Sequence, residues 1–147
     1  MNYADAFDTL LHSGADSLWR AVRAMPAEKL DWKPAPEARN ARELVEEIVM
    51  TTGFSAEFIH TQKMPDMEHS ETDKKGLDEL EKEHRAALEK LVEAIRAFPE
   101  DKLSEKVELP WGTSTWLEVI SYPYWNLMYH YGQISYIQTM YGDKETR

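Results

Sequence analysis

From Leu77 to Phe98 one stripe of side chains recurs in steps of three and four: Leu77, Leu80, His84, Leu88, Leu91, Ile95 and Phe98. An α-helix puts such a series on one face, and the opposite face is charged, with Glu89 and Glu93 among lysines and arginines. The stretch from about Lys74 to Phe98 is therefore predicted to be a helix with one dry side that other helices must cover. Three further stretches supply them. The first runs from about Tyr3 to Met25, with Phe7, Leu11, Leu18, Val22 and Met25 at helical spacing and Pro26 to stop it. The second opens on the capping box Asn40-x-x-Glu43 and reaches about Thr61, turning Leu44, Ile48, Ser55 and Ile59 inward. The last opens on the box Thr115-x-x-Glu118 and extends from Thr115 to Tyr141, where Gly142 is placed to end it.

The connections decide how four such helices can be arranged. Leu30 to Arg39 contains Pro34 and Pro36, which stiffen it, and Trp32 within it is predicted to plug a helix end, the alternative being an aromatic wall of a pocket. Gln62 to Asp73 is polar, contains Pro65 and shows no period; at about 3.3 Å per extended residue it can travel back along a bundle. After Pro99 the chain turns through Leu109 to Ser114, with Val107 to Leu109 at most briefly extended and no sheet expected. The fold class is all-α, a four-helix bundle with a long crossover between its second and third helices. A chain of 147 residues suits one domain over 1–147 and can bury about 68–70% of its unfolded surface.

Charge and composition exclude several partners. Seventeen basic against 27 acidic residues leave a net charge of −10, and the basic residues are scattered, so nucleic acid is not expected. No apolar run approaches the roughly 20 residues of a membrane span, and the acidic start MNYADAFD has neither part of a signal peptide, so a cytoplasmic protein is expected. With no cysteine, disulfides and thiolate chemistry are absent, and a metal would have to be held by His, Asp, Glu or neutral oxygen.

The last helix carries the chemistry. Projected at 100° per residue, its innermost line holds Val119, Asn126, His130, Gln133 and Ile137, with Trp116, Leu127, Ile134 and Met140 on the flanks. A buried polar group without a partner costs about 1–3 kcal/mol, so three in register imply an internal hydrogen-bond network or a bound object. Asn126 and His130 stand one turn apart and can grip one object from a single helix. Pro123 is expected to kink the helix just before them. On the second helix Glu47 falls on the flank of the apolar arc beside Thr51, Phe54 and Phe58, where a carboxylate needs a cation, a donor or a raised pKa unless it bends outward to solvent. His12, His60 and His69 read as surface residues, and His84 as a core-boundary histidine with a hydrogen-bond partner.

The string His130-Tyr131-Gly132-Gln133-Ile134, followed by Tyr136 to Asp143, resembles the terminal signature of the DinB/YfiT-like superfamily. The run Trp32-x-Pro34-x-Pro36 leading to Asn40-Ala41-Arg42-Glu43-Leu44-Val45 resembles the way that family begins its second helix, and the likeness covers essentially the whole chain. The resemblance implies an up-down-down-up bundle, often a homodimer, with a divalent metal (Ni, Zn or Mn) on three histidines, one from the second helix and two from the last. Its implied activities are those of thiol-dependent transferases, isomerases and metal-dependent hydrolases. The ligand positions fall on Glu47, Asn126 and His130, of which only His130 keeps the family's residue type.

Neutral imidazoles suit nickel and zinc, whereas an amide oxygen suits harder cations. These three residues either hold a metal with water in its open positions, or satisfy each other without one: carboxylate to imidazole, imidazole to amide, amide to Gln133. The metal-free form is the expectation. Three functions follow. An enzyme would activate water or a thiol on the metal, with Gln133, Tyr129 and Tyr122 lining the cleft around its substrate. A binding module would hold a small organic ligand there without chemistry. A structural role would set Tyr124, Trp125 and Tyr131 against a second copy.

Overall fold

The helices form where the spacing and capping signals stand, in a computed structural model that describes residues 1–66 and 74–147; His69 lies outside the described residues. In chain order they are α1 (Tyr3–Arg23), the one-turn α2 (Ala27–Leu30), α3 (Ala41–Thr61), α4 (Leu77–Ala97) and α5 (Trp116–Met140). Both predicted capping boxes are made: Asn40 accepts from Glu43 N while the Glu43 carboxylate returns to Asn40 N, and Thr115 and Glu118 do the same. A third, Asn2 with Asp5, starts α1. Gly142, at φ 97°, ends α5 in the left-handed conformation, with Asp143 N bonded to Gln138 O and Gly142 N to Thr139 O.

Contacts between helix ends fix the directions. The Tyr3 hydroxyl at the start of α1 donates to Ile95 O and Phe98 O at the end of α4, and Arg23 at the end of α1 bonds Asp78 and Glu81 at the start of α4, so these two run antiparallel. Gln138 Nε2 donates to Ala21 O at 3.0 Å, which sets α5 parallel to α1. Phe58 near the end of α3 stacks on Trp116 at the start of α5, and Arg42 near the start of α3 reaches Lys75 O just before α4. The bundle is thus up-down-down-up, with α3 and α4 parallel. The end of α3 and the start of α4 therefore stand about 30 Å apart, the length of a 21-residue helix.

The predicted stripes line two clusters stacked along the bundle. One gathers the α1 start, the ends of α3 and α4 and the α5 start around Leu11, Ile59, Leu88, Ile95 and Ile120. The other gathers the opposite ends around Leu18, Leu44, Ile48, Leu80 and Ile134. On α5 the projection is displaced: Ile120 and Gln138 are buried, whereas Met140 is half exposed and Val119 and Gln133 are only partly covered. The helix is continuous through the buried Pro123.

Two elements depart from the expectation. α2 adds a helical turn after Pro26. Residues Lys106–Leu109 (β1) and Gly112–Thr115 (β2) pair antiparallel, with Lys106 opposite Thr115 and Leu109 opposite Gly112, where no sheet was expected. Four-residue strands are too short to show a period, and the two-residue turn Pro110-Trp111 lacks the Asn-Gly signature. Trp116 N bonds Glu105 O and Leu117 N bonds Leu103 O, fastening the hairpin to the start of α5.

Candidate functional site

Glu47 sits on the second turn of α3 and His130 in the middle of α5, 83 residues later, and the antiparallel packing of the two helices joins them. His130 Nε2 lies 2.9 Å from Glu47 Oε1, and its Nδ1 lies 2.6 Å from Gln133 Oε1, one turn farther along α5. The ring is 4% exposed. The other Glu47 oxygen takes a close hydrogen bond from Arg39, whose guanidinium also donates to Glu43 O at 2.8 Å. A chain of four polar groups therefore runs Arg39, Glu47, His130, Gln133. Burial alone would raise the Glu47 carboxyl, but the hydrogen bonds and charges of Arg39 and His130 outweigh it and hold it below the ordinary carboxylate value.

With the Glu47 carboxylate ionised, it accepts from His130 Nε2–H, while the direction of the Nδ1 contact with Gln133 depends on the ring tautomer and the turn of the amide.

Asn126 lies one turn before His130 and is 3% exposed, yet no hydrogen bond of its side chain is found among the described residues. The link from imidazole to amide to Gln133 is thus not made; His130 reaches Gln133 directly. Tyr129 sets its ring edge-on to His130 at 5.3 Å but faces outward, 52% exposed, and stacks on Trp125 (5.2 Å, 16°), which stacks on Tyr122 (5.8 Å, 30°). Of the three aromatic residues expected on an outer face, only Trp125 is open there. Tyr124 packs on the core, and Tyr131 does too, donating its hydroxyl to Arg147 O. Trp32 meets Tyr141 edge-on at 6.3 Å and covers the end of α5, and it is not on the wall of the cavity described next.

Beside the chain of four a cavity of about 740 Å³ opens between α3, the first half of α5 and the hairpin. Its apolar wall is Phe54, Phe58, Val119, Leu109, Trp111 and Tyr122, and its carboxylates are Glu47, Glu57, Asp66 and Glu118. Glu47 and Tyr122 are thus on the wall, while Asn126, His130, Gln133 and Tyr129 stand outside it. Trp111, at the hairpin tip and 71% exposed, and the Arg39 partner of Glu47 were missed in the sequence. No spacing rule ties a loop residue to a helix, and the hairpin that carries Trp111 left no periodic trace.

Among the described residues no three of His, Cys, Asp and Glu stand close enough to hold one metal ion. No helix of the described residues is long and apolar enough to cross a membrane.

Comparison with known structures agrees with the topology. A DinB-like protein from Bacillus subtilis superposes with a TM-score of 0.74 at 16% identity, covering 97% of this chain and 96% of that one. A conserved protein from Enterococcus faecalis gives 0.74 at 12% identity, over 95% and 97% of the two chains. A DinB family member from Shewanella denitrificans gives 0.62 at 17% identity, over 97% and 85%. At these identities the likeness is one of fold. No curated protein matches the chain. The family model described as the DinB superfamily matches residues 10–134, most of its length, and the chain belongs to that superfamily.

Proposed function

We propose that this DinB-superfamily protein binds a small organic molecule in the cavity between α3, α5 and the hairpin, without a resident metal. The observation that carries the reading is the closure of the polar chain. Both nitrogens of His130 and both oxygens of Glu47 are already taken, by each other, by Gln133 and by Arg39. A cation at the family's ligand positions would have to displace the proton between His130 and Glu47 and sit beside the Arg39 guanidinium. It would find one imidazole, one amide and one carboxylate already paired with Arg39 where the family resemblance implies three imidazoles, a donor set that does not fit nickel or zinc. The harder manganese ion would meet a single carboxylate already in an ion pair. The cavity volume, by contrast, falls within the roughly 300–1,000 Å³ of ordinary ligand pockets, and its walls mix aromatic and aliphatic side chains with polar anchors.

Metal analysis of protein purified without chelator, followed by calorimetric titration with nickel, zinc and manganese, tests this. The expected result is no stoichiometric metal and no saturable binding. A divalent ion at one per chain, lost in His130→Ala, would sink the reading and restore metal-dependent hydrolase or thiol-transferase chemistry.

A second reading concerns assembly and is compatible with the first. The outer face of α5 presents Trp125, Tyr129 and Tyr136, each more than half exposed, and no residue from Val119 to Gly142 is charged. In a chain of net charge −10, two such faces can meet about a twofold axis without opposing like charges. The second copy of this chain is therefore the partner that face fits.

A further inference from the structure

We infer that the cavity takes an organic cation with an apolar body, an amine or quaternary ammonium joined to an aromatic or branched hydrocarbon. The inference rests on the small-molecule reading above and adds the charge and shape of the ligand.

The charge on the wall has one sign. Among the described residues four carboxylates and no lysine or arginine line the cavity. Glu47 is ion-paired with Arg39 and hydrogen-bonded to His130, but Glu57, Asp66 and Glu118 enter no ion pair among the described residues. Glu118 is also fixed in place: its carboxylate accepts from Thr115 N at 2.7 Å and from Thr115 Oγ1 at 3.1 Å. A carboxylate ligand would meet like charge on several sides, and the net charge of −10 draws cations from farther out.

The distribution of these groups distinguishes an organic cation from a metal ion. The carboxylates come from α3, from the chain just after it and from the start of α5, and no three acidic or imidazole groups of the described residues are grouped to hold one metal ion. Between them lie aromatic faces. Phe54, Phe58 and Tyr122 form the wall, and the Trp111 indole stands largely open to solvent at the hairpin tip. An exposed indole beside carboxylates is the arrangement in which a cation gains from the ring face as well as from the ion pair.

Ser55 also lies on the cavity wall, where its hydroxyl can accept from the N–H of a protonated amine.

Three probes of nearly equal size test the inference by calorimetry: 4-phenylbutylamine, 4-phenylbutanol and 4-phenylbutyrate. The amine is expected to bind saturably, the alcohol several-fold more weakly and the acid not at all. In the double variant Glu57→Gln, Glu118→Gln the amine is expected to weaken by about three-fold per carboxylate, as partly exposed ion pairs contribute, with the alcohol unchanged. Gln at 118 keeps the capping box, so the melting temperature should hold. Binding of the alcohol or the acid as tightly as the amine overturns the charge assignment and leaves the cavity reading standing. Amine binding that survives both the double variant and Trp111→Ala overturns the assignment too, since the amine is then bound elsewhere. No saturable response from any probe overturns both.

Discussion

The Trp19 indole N–H donates to His84 Nδ1 at 2.9 Å across the interior of the bundle, joining α1 to α4 over 65 residues of sequence. His84 is 1% exposed; burial, helped by the neighbouring Arg85 charge, pushes its pKa down from 6.5 to about 4. The ring is thus neutral at physiological pH, with Nδ1 free to accept. Because the unfolded chain binds this proton more readily, stability is complete above about pH 6.5 and declines as pH falls toward 4. A displacement of that size is worth on the order of 3 kcal/mol. Urea melts between pH 7 and pH 4.5 should show the decline, and His84→Gln, which can still accept but does not titrate, should flatten it. An unchanged slope in the variant would assign the titration to other groups.

Glu47 makes a separate contribution at lower pH. Its folded carboxyl is held below the ordinary value of 4.5, so the stability it supplies is present above that value and is lost as pH falls through the depressed one. Glu47→Gln should therefore shrink the acid-induced loss below about pH 4.5 while costing only about 1 kcal/mol at pH 7. His130→Ala should cost more, about 2–3 kcal/mol, because it leaves a void and strips Glu47 and Gln133 of a partner. A double-mutant cycle should give a coupling of about 1 kcal/mol, and additive effects would mean that the two side chains do not interact in solution.

Two glycines inside helices should respond to the same change with opposite sign. A Cβ on Gly14 would stand 2.9 Å from Leu127 Cδ2 and 3.3 Å from Met128 Sδ, where α1 and α5 come together, and Leu127 is too deeply buried to swing away. Overpacking outweighs the gain in helix propensity, and Gly14→Ala is expected to lose about 1 kcal/mol. A Cβ on Gly53 meets nothing within 4 Å, so Gly53→Ala on α3 should gain about 0.5–1 kcal/mol. Chemical denaturation of the two variants reads both signs directly.

The open aromatic face of α5 makes oligomeric state measurable. Light scattering at micromolar concentration is expected to report a dimer for the wild type and a monomer for Trp125→Glu together with Tyr129→Glu, which bring like charges into the face. A wild-type monomer at high concentration would end the assembly reading and leave the cavity untouched.

The helices, their caps and the polar residues midway along α5 were legible before any coordinates, because each is written within one or two turns of chain. A capping box needs three residues, and an apolar stripe needs only the 3.6-residue period. The same local reading picked out Glu47 as an uneasy carboxylate and His84 as a histidine in need of a partner. It could not name Arg39, Trp19 or Ser55's cavity as their counterparts. Of the hairpin, too short for a period, only a brief extension at Val107 to Leu109 is legible, and its pairing and the place of Trp111 are not.

By itself, then, the chain determined four amphipathic helices, their ends and the residues at which polarity interrupts an apolar face. Only the tertiary structure decided that His130 spends its nitrogens on Glu47 and Gln133, leaving Asn126 aside, that the hollow opens beside these groups instead of between them, and that Gly14 is crowded while Gly53 is not. The reason is physical: helix spacing and capping depend on neighbours a few residues away, whereas these pairings depend on which helix packs against which, across as many as 83 residues between Glu47 and His130.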